Sequence, residues 1–206
     1  MTAPLIGLVG KKRAGKDTFA ARLIAEHGFV KVSFSAPVKE AALAVDPIIS
    51  AWAVGLGAIH TERLSDVVKE YGWEGAKEVP EVRRVLQCLG TDAIRTLDPD
   101  FWVRAGMARA KDLRIETTEI RNFLGDLIRT VGGQPVVITD VRFRNEAAAI
   151  KAAGGILVRV ERPGSDDGDT HASEVELDTY PVDRLVYNGG TVPQLHNQAD
   201  AVAASL

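Results

Sequence analysis

Cysteine is nearly absent from this sequence, and neither sign of charge dominates it. Cys88 is the one cysteine, so a disulfide within the chain is excluded and a cysteine-based zinc site is disfavoured. This usage is typical of a reducing compartment, and we predict a cytoplasmic protein. The formal net charge of -3 and the pI near 5.8 argue against a general nucleic-acid binder, which needs a strongly basic surface.

The sequence also lacks an apolar run long enough to span a membrane. Residues 41–59 are largely apolar, but Asp46-Pro47 divides them, and we predict two pieces of buried helix there. Residues 1–4 contain no basic region leading into an apolar stretch, so we expect neither a signal peptide nor membrane association. With 206 residues, of which 46% are apolar, the chain is expected to form a single domain that has room for an inserted subdomain.

The most informative stretch lies near the start of the sequence. Leu5–Val9 reads as a buried strand, and Gly10, four further residues, Gly15 and Lys16 follow with Walker spacing. Glycine permits the backbone angles that turn successive N–H groups toward an anion, and the helical pattern of residues 18–25 adds a helix N-terminus. The sequence therefore predicts a nucleotide-phosphate site. Three further cations lie within the loop: Lys11, Lys12 and Arg13.

The loop departs from the usual pattern directly after its lysine. Asp17 stands where a hydroxyl residue is expected, and Thr18 follows one position late. In the usual loop the first hydroxyl is a magnesium ligand. Either Asp17 therefore approaches the metal, directly or through water, or the ion is held elsewhere, and the residues leave both options open.

A second acidic position follows a predicted buried strand at 135–140. Asp140 ends this strand and can hold Mg²⁺ or its water ligands, as a Walker B aspartate does. Arg142 suits a phosphoryl group because its guanidinium is permanently charged and binds oxygens in a fork. The alternative for Arg142 is a salt bridge to Asp140 or Glu146.

A predicted strand at 29–35 ends near the same sheet edge. Ligands of open parallel sheets bind outside the carboxyl ends of the strands, so Ser35 and Lys39 are placed to meet a second substrate. The alternative is a capping serine and a solvated lysine.

Helical patterns dominate the region from about 47 to 114, which we predict to be a helical insertion. Helices are expected over 51–59, 61–71, 79–97 and from 101 to 111 or beyond. Within the third of these, Gly90-Thr91-Asp92 is expected to interrupt the helix, so that Arg95 points independently.

Two more strands are predicted at 156–161 and 184–187, the latter followed by a C-terminal helix. Short strands alternating with helices predict an α/β fold with a five-stranded parallel sheet covered on both faces. Between these strands, residues 162–181 have the composition of turns and flexible loops, and we predict a lid-like segment.

These groups favour transfer between two phosphorylated molecules. A phosphate acceptor already carries negative oxygens, so electrostatic clamps suffice and no general base has to deprotonate it. The sequence offers no obvious base and thus predicts a phosphate-acceptor kinase. A nucleotide-dependent binding module is the alternative from another class.

Taken together, the motifs resemble those of phage deoxynucleoside monophosphate kinases over nearly the whole chain. The matching segments are residues 10–18, 34–39, 63–66, 72–77, 83–102 and 139–142. The resemblance implies a three-layer P-loop sandwich with a helical acceptor-binding insertion, and transfer of the ATP γ-phosphate to a deoxynucleoside monophosphate with Mg²⁺ in the host cytoplasm. Animal phosphomevalonate kinases share the loop and the 37–40 segment, but 72–77 and 86–92 favour the nucleotide enzyme. Dephospho-coenzyme A kinase is a weaker relative in pattern.

The resemblance also implies individual roles. Lys16 would contact the β- and γ-phosphates and Thr18 the α-phosphate, while Asn188 would lie beside the donor adenine. The implied ATP-binding residues are Lys11, Arg13, Ala14, Gly15, Lys16, Asp17, Thr18 and Asn188. The implied acceptor-binding residues are Ser35, Ala36, Lys39, Arg95, Trp102, Arg142 and Glu174. Lys16, Asp140 and Arg142 are expected to be catalytic, and Asp17 and Asp140 to serve the metal.

Two points stay open from the residues alone. Trp102 would lie near the acceptor base or sugar, but it could equally be an aromatic core residue of the insertion. A homodimer is compatible with the sequence, which identifies neither a heptad repeat nor an exposed strand edge.

Overall fold

A computed structural model of the protein describes residues 2–55, 57–115, 118–121, 127–131, 133–164 and 176–206. The chain forms two compact units. The first comprises Met1–Phe34 and Val103–Leu206, and the second comprises Ser35–Trp102. The second unit is therefore one continuous stretch inserted into the sequence of the first.

The helices and strands can be given in chain order. The strands are β1 (Leu5–Val9), β2 (Val30–Val32), β3 (Ile48–Gly55), β4 (Ala58–Arg63), β5 (Thr118–Arg121), β6 (Leu127–Val131), β7 (Val136–Ile138), β8 (Ile156–Glu161) and β9 (Arg184–Tyr187). The α-helices are α1 (Lys16–His27), α2 (Ala36–Val45), α3 (Leu64–Ala76), α4 (Pro80–Gln87), α5 (Ile94–Leu97), α6 (Phe101–Ile115), α7 (Arg144–Ala152) and α8 (Val192–Ala203). A π-helical segment, Cys88–Ala93, joins α4 to α5.

The first unit is built on a parallel sheet. Its strand order is β2-β7-β1-β8-β9, and every neighbouring pair runs parallel. All five residues of the central strand β1 are buried, as expected for a parallel strand covered on both faces. The predicted α/β fold with a five-stranded parallel sheet is confirmed. A separate antiparallel pair, β5 with β6, belongs to the same unit.

Helices cover both faces of this sheet. Successive residues of a strand point to opposite sides, so each strand contributes side chains to both layers. One face packs on α1 and α8, and its buried side chains include Ile6, Leu8, Phe19, Leu23 and Leu195. The other packs on α6 and α7, and its buried side chains include Leu5, Val9, Val103, Ala147 and Ile150. The sheet is thus the middle layer of the expected three-layer sandwich.

The second unit has its own small core. Its buried side chains are Ala42, Ile49, Leu64, Val67, Ala76 and Val82. Asp46 fastens the start of α3, because its carboxylate accepts hydrogen bonds from the backbone N–H of Ser65 at 2.9 Å and from the Ser65 hydroxyl at 3.1 Å. The Arg63 guanidinium donates to the Asp46 carbonyl at 2.7 Å. These bonds join the end of α2 to the end of β4.

The helix predicted over 51–59 is wrong, because this stretch forms an antiparallel hairpin of β3 and β4. Gly55 and Gly57 have φ of 98° and 78°, which turn the chain where a helix would have continued. The prediction of burial is also wrong, since Trp52 and Ile59 are 48% and 69% exposed. The helix predicted over 61–71 begins only at Leu64, where β4 ends.

The helix predicted over 79–97 exists in three pieces. The expected interruption at Gly90-Thr91-Asp92 is confirmed and takes the form of the π-helical segment. Val82 is buried, and Val85, Leu86 and Leu89 pack against the same core, so these four side chains form one apolar face. The helix expected from 101 runs to Ile115 as α6.

Among the described residues, no helix combines the length and the hydropathy that crossing a membrane requires.

Candidate active site

The predicted phosphate loop connects the central strand to the first helix. β1 ends at Val9, residues 10–15 form the loop, and α1 begins at Lys16. Gly10 and Gly15 have φ of 144° and 105°, where only glycine is comfortable. A Cβ at Gly10 would collide with the carbonyl of Val160, and one at Gly15 would collide with the Asn188 amide. Both glycines are therefore required by the packing of the loop as well as by its backbone angles.

This loop and the chain after β8 line one pocket of about 230 Å³. The lining residues are Arg13, Ala14, Gly15, Lys16, Asp17, Thr18 and Arg162. Three of them are cations and one is an acid, and the pocket lies at the N-terminus of α1. The positive side chains and the helix dipole both favour an anion here. Six of the eight residues predicted to bind ATP are thus brought together.

Lys16, the first residue of α1, directs its side chain back onto the phosphate loop. Its ammonium donates hydrogen bonds to the backbone carbonyls of Gly10 and of Lys11, the latter at 2.8 Å. Arg13, at the tip of the loop, has φ of 62°, a left-handed conformation that is unfavourable for a residue with a side chain. The loop thus presents two cations to the pocket, one of them from an unfavourable backbone conformation.

Asn188 fastens the loop from the end of β9. Its side-chain amide donates to the carbonyl of Ala14 at 2.9 Å, and its backbone N–H donates to the carbonyl of Glu161 at 2.6 Å. The sequence resemblance predicts that Asn188 lies beside the donor adenine. The contacts add a role that the sequence did not reveal, namely positioning of the phosphate loop.

Lys11 points away from the lining of the pocket toward the chain that precedes β9. Its ammonium pairs with the Asp178 carboxylate at 2.9 Å. The Arg159 guanidinium donates to the carbonyls of Asp178 at 2.7 Å and Tyr180 at 2.9 Å, so this segment is held against the end of β8. ATP binding by Lys11 stays a prediction.

Asp140 lies just beyond β7, next to the end of β2. One carboxylate oxygen accepts from the Ser33 hydroxyl at 2.6 Å and the other from the backbone N–H of Phe34 at 3.0 Å. The acid is therefore fixed at the carboxyl ends of two neighbouring strands, where the sequence predicted it. Its service to a metal ion stays a prediction.

The turn after Asp140 is held by a buried acid. Glu146 is 3% exposed, and its carboxylate accepts from the backbone N–H groups of Arg142 at 2.7 Å and Phe143 at 3.1 Å. This contact runs through the Arg142 backbone and fixes the point from which the guanidinium extends. The predicted alternative for the Arg142 side chain, a salt bridge to Asp140 or Glu146, stays a prediction.

Five of the predicted acceptor residues lie in the second unit, namely Ser35, Ala36, Lys39, Arg95 and Trp102. Ser35 occupies the N-cap position of α2, and its carbonyl accepts from the backbone N–H of Lys39 at 3.2 Å. The Lys39 ammonium lies 5.3 Å from the ring centre of Trp73, a cation–π distance. Ala36 opens the same helix, and Arg95 lies in α5.

Trp102 is buried within this unit, at 5% exposure. Its indole N–H donates to the carbonyl of Gly90 at 2.9 Å, and its ring packs edge to face on Phe101 with centroids 4.8 Å apart. Trp102 thus supports the π-helical segment, as the core interpretation of this residue required. Contact with the acceptor stays a prediction. Glu174 and residues 165–175 of the predicted lid lie outside the described residues.

Arg162 is the residue of this pocket that sequence reasoning left unassigned. It follows β8 directly, yet the sequence analysis treated it only as the start of a lid. The signal was present, because β8 is parallel to β1 and both strands end at the same edge. The rule that located Asp140 would also have located Arg162.

A central parallel strand that runs into a cation-lined phosphate pocket defines a P-loop nucleotide-binding protein. Within that class, the chain belongs to the deoxynucleotide monophosphate kinase family, whose sequence model matches residues 57–199. This match begins after the phosphate loop, so the loop and the family match support the conclusion independently.

Relatives cover almost the whole chain. A protein of Acanthamoeba polyphaga mimivirus, provisionally named a deoxynucleotide monophosphate kinase, is 34% identical over 202 residues, which are 94% of this chain and 93% of that protein. The deoxynucleotide monophosphate kinase of Enterobacteria phage T4 is 23% identical and covers 94% of this chain and 96% of its own length. That of Escherichia phage RB69 is 25% identical over 59% of this chain and 44% of its own length.

Proposed function

We propose that this protein transfers the γ-phosphoryl group of ATP to a deoxynucleoside monophosphate and releases the diphosphate and ADP. The observation that carries the proposal is the pocket lined by Arg13, Lys16 and Arg162 in a chain of this kinase family. Phosphoryl transfer is accelerated mainly by alignment and by charge stabilisation, which fixed cations supply. We place the reaction in the host cytoplasm, where it would supply deoxynucleotides for DNA synthesis.

The donor phosphates are proposed to bind along the loop. Lys16 would neutralise the β- and γ-phosphates, and Thr18 at the first turn of α1 would donate to the α-phosphate. Arg13, from the loop, and Arg162, from the chain after β8, would add positive charge to the same pocket. Guanidinium groups suit this task because they bind phosphate oxygens in a fork.

Magnesium is proposed as the cofactor, and its chemistry is to bridge the phosphate oxygens and neutralise their charge. Among the described residues no three His, Cys, Asp or Glu side chains cluster as a metal site. Mg²⁺ at nucleotide sites typically uses one or two carboxylates together with phosphates and water, so the donor set fits. Asp17 lines the pocket, and Asp140 is fixed at the sheet edge; these two residues would hold the ion or its waters.

The acceptor is proposed to be held by its phosphate and its base. Cationic side chains would bind the acceptor phosphate, whose own oxygen attacks, so that no protein base is required. The proposed acceptor residues are Ser35, Ala36, Lys39, Arg95, Trp102, Arg142 and Glu174. Neither nucleic acid nor a membrane is a proposed partner.

A coupled ADP-release assay tests the reaction. ATP and Mg²⁺ are supplied with dAMP, dGMP, dCMP, dTMP, the ribonucleotides or mevalonate 5-phosphate. Turnover with deoxynucleotides is expected. Turnover with mevalonate 5-phosphate alone would instead indicate a phosphomevalonate kinase, and no turnover with any acceptor would indicate a binding module.

Lys16→Ala tests the phosphate loop. Loss of the cation that stabilises the transferring group is expected to lower kcat by about 100-fold or more. Lys12→Ala is the matched control, since Lys12 lies in the same loop but is not a lining residue of the pocket. Normal transfer by Lys16→Ala would remove the loop from the mechanism.

A further inference from the structure

Helix α3 of the second unit is broken at a glycine. Gly72 has φ of 63° and ψ of 173°, so the residues on either side of it form two helical pieces. This combination of angles is essentially confined to glycine. A Cβ at Gly72 would meet no atom within 4 Å, so close packing does not require a glycine here. Gly72 therefore serves the direction of the chain that follows it.

The first residue after this break is Trp73. Its side chain is half-buried and packs against the core of the second unit. Its carbonyl accepts from the backbone N–H of Lys77 at 3.3 Å, which fixes the short helical piece that carries it. The Lys39 ammonium lies over the indole ring, 5.3 Å from its centre. This is within the range of about 6 Å over which the face of a ring attracts a cation.

The Trp73 ring is a suitable support for the Lys39 ammonium. A lysine side chain loses much rotamer freedom when its charge is held in one place, so a defined position requires an attractive contact. The ring attracts the ammonium through its face and occupies none of its three N–H donors. It can therefore localise the charge without taking up the hydrogen bonds that phosphate oxygens accept.

We propose that Trp73 is a positioning residue for the acceptor phosphate and acts through Lys39. The inference rests on the proposed function, because it takes Lys39 as a ligand of the acceptor. Gly72 sets the direction of the ring, and the ring sets the position of the ammonium. Residues 72–77, which by sequence favour a nucleotide kinase over a phosphomevalonate kinase, would thereby have a role in substrate binding.

A purely structural role for Trp73 makes a different prediction. A ring that only fills the core would affect acceptor binding by the same factor whether or not residue 39 carries a charge. A ring that acts through Lys39 would have no effect on acceptor binding once that charge is removed. A double-mutant cycle between the two positions separates these roles.

The readout is KM for the deoxynucleotide in the ADP-release assay at saturating ATP. Trp73→Met fills the space without a ring and is expected to raise this KM about 2- to 5-fold, with kcat and KM for ATP unchanged. Trp73→Phe keeps an aromatic face and should recover part of the loss. Trp52→Met is the matched control, since Trp52 lies in the same unit but stacks on His60, with ring centres 4.6 Å apart, and should leave KM unchanged.

The second arm of the cycle removes the charge. Lys39→Ala is expected to raise KM for the deoxynucleotide about 10-fold or more, and adding Trp73→Met should cause no further increase. Should Trp73→Met fail to fold, Gly72→Ala keeps the ring and changes only its direction, and its effect should likewise disappear in the Lys39→Ala background.

The outcomes distinguish this inference from the proposed function. Absence of turnover by the wild type with every deoxynucleotide would overturn the proposed function and this inference with it. Turnover by the wild type with an unchanged KM in Trp73→Met or in Lys39→Ala would overturn the inference alone. So would an equal effect of Trp73→Met in the presence and in the absence of Lys39.

Discussion

Replacement of Arg162 by alanine should lower kcat/KM for ATP and leave KM for the acceptor nucleotide unchanged. The side chain lines the phosphate pocket opposite the loop and extends from the end of β8. A hydrogen bond to a charged group contributes about 1.5–3 kcal/mol, but exposed ion pairs contribute only about 0–1 kcal/mol. Because Arg162 is exposed, we expect a loss of about 1–2 kcal/mol, which is about a 5- to 30-fold decrease in kcat/KM for ATP.

The assay is ADP release at saturating deoxynucleotide and varied ATP, together with ATP binding by calorimetry. Arg162→Lys should recover part of the loss, because it restores the charge but not the planar fork. Arg184→Ala is the control, since Arg184 is also exposed but donates to the carbonyl of Asp183 at 2.9 Å, away from the pocket lining. An unchanged kcat/KM for ATP in Arg162→Ala would refute the assignment of this residue to the donor phosphates.

Three further substitutions test other hydrogen bonds of the structure. Asn188→Ala removes the 2.9 Å bond to Ala14, worth about 1 kcal/mol, and should raise KM for ATP about 5-fold while KM for the acceptor is unchanged. Hydrogen bonds to the Arg22 guanidinium at 2.9 Å and to the His27 ring at 2.8 Å lower the pKa of Asp200 to about 2. The melting temperature of the wild type should therefore exceed that of Asp200→Asn above about pH 4, and the difference should shrink as the pH falls toward 2. A difference that grew on acidification would contradict the Arg22–Asp200 ion pair. Arg114→Met should lower the free energy of unfolding by about 2–4 kcal/mol in urea titrations, because the buried guanidinium donates to two backbone carbonyls, at 2.6 and 3.0 Å; an unchanged urea midpoint would contradict this.

The parallel sheet could be predicted because its strands carry strong local signals. Leu5–Val9 is almost wholly apolar and leads into a loop whose glycine spacing has few other uses. Val136–Ile138 is a buried apolar run that ends before an acid. Both runs are short, rich in branched side chains and bounded by turn residues, which indicates strands buried on both faces, so both strands were located correctly.

The hairpin was missed because its composition suggests a helix. Alanine, leucine and tryptophan between residues 51 and 59 fit a helical core, and no charged residue marks a solvent-facing side. The contrary signal was Gly55-Leu56-Gly57, which a helix tolerates poorly and a turn requires. Arg162 and the loop contact of Asn188 were missed for another reason, since both depend on strands that are distant in sequence but adjacent in the sheet.

The order of strands in the sheet has a consequence for synthesis of the protein. β1 is made first, yet its sheet partners, β7 and β8, begin at Val136 and Ile156, and the amide that fastens the phosphate loop is at position 188. Long-range pairing of this kind is slow and leaves apolar strands unpaired meanwhile. A nascent chain would thus carry its complete phosphate-loop sequence without binding ATP until β7, β8 and Asn188 have left the ribosome. Only then could the kinase acquire its donor.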